Sequence, residues 1–218
     1  MKELKAECEL AEYLQLSKNS KTKKEKIMLA TEQKYYSTEE YLELEEAAEF
    51  KSEYRQGEII QMVGCTPNHN LISLNFSSAL KYALKGKPYR VYMSDLRLWV
   101  PESRLYTYPD VMVVATPLVY AENRRDTITN SLIIAEILSN STESYDRGKK
   151  FEYYRSMSSF QEYILIDQYR NHVEQFSKTE EGKWLLSEFS NSEDTLYLSS
   201  VESGISLQDI YEEVEFEE

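Results

Sequence analysis

Residues 132–138 read LIIAEIL, a run in which every residue but Glu136 is apolar. No other segment constrains the fold as tightly. A short continuous apolar run bounded by polar residues reads as a strand buried on both faces, at the centre of a sheet with layers packed on either side. A lone carboxylate in such a strand is expensive to bury unless a cation or hydrogen-bond donors compensate it. A second acid keeps similar company: Asp110 stands in YPDVMVV. Two acids embedded in apolar strands can share one cation. Hard oxygen ligands suit Mg2+ or Mn2+, with substrate phosphate completing the shell. Such an ion polarises a scissile phosphate and helps generate hydroxide from water. Taken singly, each acid has a plainer reading: it ends its strand facing solvent, or it pairs with a buried base.

The remaining pattern fits a mixed sheet. Ser37 followed by Glu40 has the spacing of a capping box, opening a helix through Tyr41, Leu42, Leu44 and Ala48 toward Tyr54. Gly57 marks a turn and residues 58–63 (EIIQMV) a strand. A long helix follows over about residues 68–84, with Leu71, Leu74, Ala79 and Leu80 on overlapping apolar faces, and Gly86 and Pro88 stop it. Residues 89–93, 96–100 and 106–115 read as strands before the central run. Residues 146–157 suit a helix and 162–167 (EYILID) a strand. Residues 172–176, 184–189 and 195–198 read as further strands, and 206–214 as a short closing helix. Strands, a crossover helix and strands again predict an α/β or α+β domain on a mixed sheet.

Residues 17–26 (SKNSKTKKEK) are basic and lack apolar periodicity. They set apart an N-terminal extension over residues 1–30, disordered or weakly helical, from a folded domain over 31–218. Met28 is an alternative start within that extension. The net charge of −13 argues against a protein whose main task is coating nucleic acid. It leaves room for an enzyme that meets DNA through one local face, because a bound metal reverses the sign of an acidic site. Cys8 and Cys65 form no CxxC pair, so neither a zinc site nor a disulfide framework is expected, and a reducing cytoplasmic setting fits. No apolar run approaches the ~18 residues of a membrane span. No Gly-rich phosphate loop or nucleophile elbow supports ATP-dependent or acyl-transfer chemistry.

Asp146, Lys150 and Tyr154 are spaced i, i+4, i+8 and share one helix face. A lysine there can reach the metal site and hold the attacking water or developing charge; the alternative is an ordinary ion pair on a solvated face. Glu53 and Glu58 flank the first turn, where one can add a carboxylate to the site or both can face water. His69, near the start of the long helix, is either a phosphate contact or base, or a structural hydrogen-bonding residue. His172 alternates with Glu174 along a later strand and reads as a surface residue. Ser139, Ser141 and Thr142 cap the next helix or contact phosphate. Two basic groups, one over residues 81–104 and one of Arg147, Lys149, Lys150 and Arg155, form a DNA-facing surface or are scattered solvating charge.

The stretches EYLELEEAAEFKSEYRQGEII, TPNHN, SDLRLWVPESRLYTYPDVMVV, AEILSNSTESYDRGKKFEYYRSM and SFQEYILID together give the chain its resemblance. From about Thr31 to the C-terminus the sequence resembles the Uma-two family of restriction-endonuclease-like proteins, abundant in cyanobacteria, within the PD-(D/E)XK nuclease superfamily. The resemblance implies a restriction-endonuclease-like central mixed β-sheet flanked by helices. It implies that Asp110, after Pro109, is the Asp of the PD motif, and that Glu136 is the acid of (D/E)XK. Glu53 corresponds to the acid of the first helical region that supports the metal. The XK lysine should stand where Leu138 is, and the resemblance implies that it has migrated to Lys150 of a DxxxK pattern. The implied activity is Mg2+- or Mn2+-dependent DNA cleavage by a homodimer, each subunit cutting one strand. A nuclease fold without catalysis, binding nucleic acid or protein, is the other reading.

Overall fold

The computed structural model describes residues 34–216. The extension expected over residues 1–30 lies outside them. In chain order the elements are α1 (Thr38–Ala47), β1 (Ser52–Arg55), β2 (Glu58–Gln61), α2 (Pro67–Ala83), β3 (Tyr89–Met93), β4 (Arg97–Val100), β5 (Leu105–Thr107) and β6 (Val111–Ala115). Then follow β7 (Thr127–Ile128), β8 (Ser131–Leu138), a helical stretch α3 over residues 143–154, β9 (Glu162–Asp167), β10 (Val173–Lys178), β11 (Trp184–Phe189), β12 (Thr195–Leu198), β13 (Ser203–Ser206) and α4 (Leu207–Ile210). The larger sheet has the order β11-β10-β9-β8-β6-β3, and a second has β2-β1-β5-β4-β7. β8 and β9 pair in parallel across the α3 crossover, while β6 and β8 run antiparallel. This is the mixed α+β architecture the sequence implied.

Strand β8 sits at the centre because both of its faces are covered. Ile133, Ala135 and Ile137 pack with Ile72, Phe76 and Leu80 of α2. The alternate residues Ile134 and Leu138 pack with Phe151 and Tyr154 of α3. Period-two alternation therefore puts Glu136 on the α3 side of the sheet. The capping box predicted at the first helix is present, with Ser37 Oγ accepting from the Glu40 N–H and Glu40 accepting from the Ser37 N–H.

Several expectations are corrected. The first helix does not run toward Tyr54. It stops at Ala47, because Ser52–Arg55 is drawn into β1 by pairing with both β2 and β5. The strand expected over residues 106–115 is two strands in different sheets, broken at Tyr108–Asp110. The helix expected over 146–157 ends at Tyr154 and is not regular. Asp146–Lys150 forms a π turn between α-helical Glu143–Tyr145 and Phe151–Tyr154. β7 and β13, too short to carry a periodic signal, were not foreseen. No helix among the described residues is long and apolar enough to cross a membrane.

Candidate active site

Asp110 and Glu136 face each other across the β6–β8 ladder. The antiparallel register pairs Val111 with Ala135, so one step further places Asp110 opposite Glu136. Asp110 is not inside a strand, as expected, but at the bend just before β6. There its Oδ2 accepts the Ile137 N–H at 2.8 Å and meets His69 Nε2 at 3.2 Å. Helix α2 fixes His69 in its first turn, where the Thr66 side chain caps the His69 N–H. Glu136 Oε1 accepts from Tyr154 Oη at 2.8 Å and lies 2.9 Å from Lys150 Nζ. Its Oε2 has only a long contact, 3.5 Å from the Asp110 N–H. The short bonds thus engage one oxygen of each carboxylate, Glu136 Oε2 keeps only the 3.5 Å contact, and Asp110 Oδ1 has no hydrogen bond among the described residues.

Lys150 is the hub of the site. Besides Glu136, its Nζ lies 3.4 Å from Asp146 Oδ1 and 3.7 Å from Glu53 Oε1. The π turn carries both Asp146 and Lys150, and single π turns inside α-helices recur at functional sites. Glu53 comes from the second sheet. It is on strand β1 rather than on the helical region the resemblance implied, and β1 pairing with β5 sets it beside Thr107, whose hydroxyl donates to Glu53 Oε1. Arg55, two residues along the same strand, donates from Nε to Glu53 Oε2 at 2.9 Å and stacks on the Tyr145 ring at 3.6 Å. Glu53, Arg55, Glu136, Tyr145, Asp146 and Lys150 line a cleft of about 540 Å3.

Burial dominates the electrostatics. The Glu136 carboxyl is pushed up to about 8 by desolvation, with Asp110 and Asp146 adding repulsion that Lys150 only partly offsets. Lys150 is itself deeply buried, yet Glu136, Glu53 and Asp146 hold its pKa well above the usual lysine value. Glu53 is buried as well, and Lys150 and Arg55 overcome that to hold its carboxyl below the usual range. Burial works against the His69 cation, but the bond and charge of Asp110 raise its pKa. The cleft holds four carboxylates, from Glu53, Asp110, Glu136 and Asp146, against the permanent cations of Arg55 and Lys150. Asp110 Oδ1 and the weakly engaged Glu136 Oε2 are hard-oxygen donors of the kind a small divalent cation takes, so the donor chemistry fits such an ion.

A family model, Uma2, described as "Putative restriction endonuclease", matches residues 38–209. The chain belongs to the Uma2 family. It is 41% identical over 162 residues, 74% of this chain and 92% of the relative, to the uncharacterized protein sll1609 of Synechocystis sp.. A second Synechocystis relative, slr1290, is 35% identical over 182 residues, 83% of this chain and 93% of its own. The fold is similar to that of an Anabaena variabilis protein described as a "putative nuclease belonging to DUF820", with a TM-score of 0.65 at 22% identity, covering 79% of this chain and 96% of that one.

For this Uma2 chain, the structure brings Asp110, Glu136, Lys150, Glu53, His69 and Asp146 into one cleft wall, with Tyr154 buried behind it on Glu136. Other expected residues stand apart or act differently. Ser139, Ser141 and Thr142 line the cleft, but Thr142, which precedes α3, makes no side-chain cap, and its hydroxyl pairs instead with that of Ser139 at 2.9 Å. His172 is mostly covered and contacts Glu174 at 3.3 Å, so it is not the free surface residue expected. The two basic groups do not converge on the cleft, where Lys150 is their one member among the described residues. Arg97 is buried against Tyr108, Lys87 donates to the Val201 and Glu202 carbonyls, and Arg147 binds Glu143 and Glu174. Sequence reasoning missed Arg55, Thr107 and Tyr145. The i, i+2 spacing of Glu53 and Arg55 on one strand face was a usable signal; Thr107 and Tyr145 carried none.

Proposed function

We propose that the chain is a metal-dependent DNA endonuclease that binds Mg2+ or Mn2+ through Asp110 and Glu136. The observation that carries this reading is the pairing of two half-engaged carboxylates across one ladder, with a buried ammonium on the same Glu136. Bound there, the cation supplies charge neutralisation at the scissile phosphate and lowers the pKa of a water. The protein's own groups do the rest. His69 and the Ile137 N–H fix the Asp110 carboxylate by its Oδ2. Tyr154 holds Glu136 by its Oε1. Lys150, oriented by three acids, faces the cleft with a permanent positive charge that positions the attacking water and stabilises charge at phosphorus.

Supercoiled plasmid incubated with the full chain tests this. Nicking or linearisation with Mg2+ or Mn2+ that EDTA abolishes is the expected result. Intact plasmid across both metals would leave a nuclease fold without the reaction.

The raised Glu136 pKa gives this reading a pH dependence. A proton on Glu136 competes with the cation, so binding Mg2+ below about pH 8 releases a proton. Apparent Mg2+ affinity should rise by up to about tenfold per pH unit toward that value and level off above it. Calorimetric titrations at pH 7, in buffers of different ionisation enthalpy, should report this released proton. A heat independent of the buffer would show that Glu136 is not the titrating ligand.

A further inference from the structure

We infer that His172, Glu174 and Glu188 form a metal site of their own, outside the Asp110–Glu136 cleft, that takes one Zn2+ and staples the edge of the larger sheet. The inference is independent of the nuclease reading. Each of these side chains offers one ligand atom, and the three atoms lie within 4.8 Å of one another. The strand register builds the arrangement. Edge strand β11 pairs with β10 so that Glu188 stands directly opposite Glu174, and His172 reaches both from just before β10. Like charges directly opposite on a ladder repel, and a cation held between them removes that repulsion. The distances suit a small tetrahedral ion, whose ligand atoms at about 2.1 Å from it stand about 3.4 Å from one another. His172 Nε2 lies 3.3 Å from Glu174 Oε1 and 3.7 Å from Glu188 Oε1. An imidazole nitrogen among carboxylate oxygens is a donor set for Zn2+ rather than for Mg2+, which favours oxygen alone.

The groups behind the three ligands orient them. Ser190 Oγ lies 2.9 Å from His172 Nδ1, so the hydroxyl can take the Nδ1–H and leave the Nε2 lone pair toward the two carboxylates, as outer-shell partners of metal-bound histidines do. Arg147 Nη1 donates to both oxygens of Glu174, at 2.6 and 2.5 Å, and the same guanidinium binds Glu143. Glu143, Glu174 and Glu188 therefore carry three negative charges against one permanent cation, and the two left over match a divalent ion. His172 and Glu174 are each 12% exposed and Glu188 is 60% exposed. Two ligands are thus held firmly while the third closes over the ion from the solvent side, with water in the fourth position. The bound ion ties β11 to β10 and to the β9–β10 turn that ends in His172, a structural role.

Calorimetric titration of Zn2+ into the EDTA-stripped full-length chain tests the inference, with Co2+ as the spectroscopic substitute. Asp110→Asn is the working background, because it disables the cleft as a competing site. That background should bind one Zn2+ and melt at a higher temperature with it, by mass action. Bound Co2+ should show the visible absorption of a tetrahedral nitrogen and oxygen site, without the thiolate charge-transfer band that the exposed Cys65 would give. Adding His172→Asn or Glu188→Gln should weaken Zn2+ binding by about 10-fold to 100-fold or more and remove the thermal gain, since even outer-shell partners are worth that much. Glu188 is mostly exposed, so Glu188→Gln keeps the test open should His172→Asn fail to fold. In the wild-type chain the same substitutions should lower the Zn2+ count by one. Zn2+ uptake that neither substitution weakens, a thiolate band, or no uptake in the Asp110→Asn background overturns the inference. Any of these would make His172 an ordinary ion-pair partner of its two glutamates and leave the reading of the cleft untouched.

Discussion

Asp110→Ala and Glu136→Ala should each reduce Mg2+-dependent cleavage to background, a loss of several kcal/mol of transition-state stabilisation or about a thousandfold or more in rate. In the proposed site each carboxylate supplies one oxygen to the same cation, so neither would hold it alone. Folding should survive, and replacing the Glu136 carboxyl by an amide should stabilise the metal-free fold at alkaline pH. The sign follows from the direction of the shift. Burial, with Asp110 and Asp146, raises the folded-state pKa of Glu136 to about 8, above the ordinary carboxyl value of 4.5. The contribution of Glu136 to stability is therefore fully present below about 4.5 and is lost as pH rises through about 8. Glu136→Gln removes that loss, by on the order of a few kcal/mol at pH 8.5. In EDTA the variant should melt about 5 °C or more above wild type at pH 8.5, with the gap closing toward pH 5. Wild-type cleavage rates in either alanine variant would remove the metal site. A gap that widened toward acid pH would show that Glu136 is ionised in the apo fold.

Lys150→Ala should lower the single-turnover cleavage rate by roughly 100-fold to 1,000-fold, with the Asp110–Glu136 ion retained. Lys149→Ala should leave that rate nearly unchanged. The adjacent lysines differ in direction: Lys150 points into three acids with 8% of its side chain exposed, whereas Lys149 is 62% exposed and pairs with Glu152 at 3.0 Å. Any effect at Lys149 should be a modest, salt-dependent loss of DNA affinity. Lys150→Ala strands buried carboxylates, which costs several kcal/mol of stability, so its rate is to be read at a temperature where thermal unfolding shows the chain folded. Equal rate losses in the two variants would refute the assignment of Lys150.

The sequence by itself determined the centre of this protein. An apolar run of strand length has one stable place, between two layers, and that located β8, the α2 and α3 layers and the buried acid Glu136. The i, i+4 spacing likewise put Asp146, Lys150 and Tyr154 on one face. These signals are local, and period two or 3.6 is written in adjacent residues. The tertiary structure decided what depends on register between distant segments. Glu53 reaches the site because β1 pairs with β5, which turned a residue expected beside a helix into a strand residue. Asp110 meets Glu136 because the β6–β8 register sets them opposite, and His69 meets Asp110 because α2 begins at that end of the sheet. Arg147 and Lys87 looked like cations available to DNA until folding gave them carboxylate and carbonyl partners. A charge in a sequence carries no record of which partner will neutralise it, because that partner is fixed by packing between residues far apart in the chain.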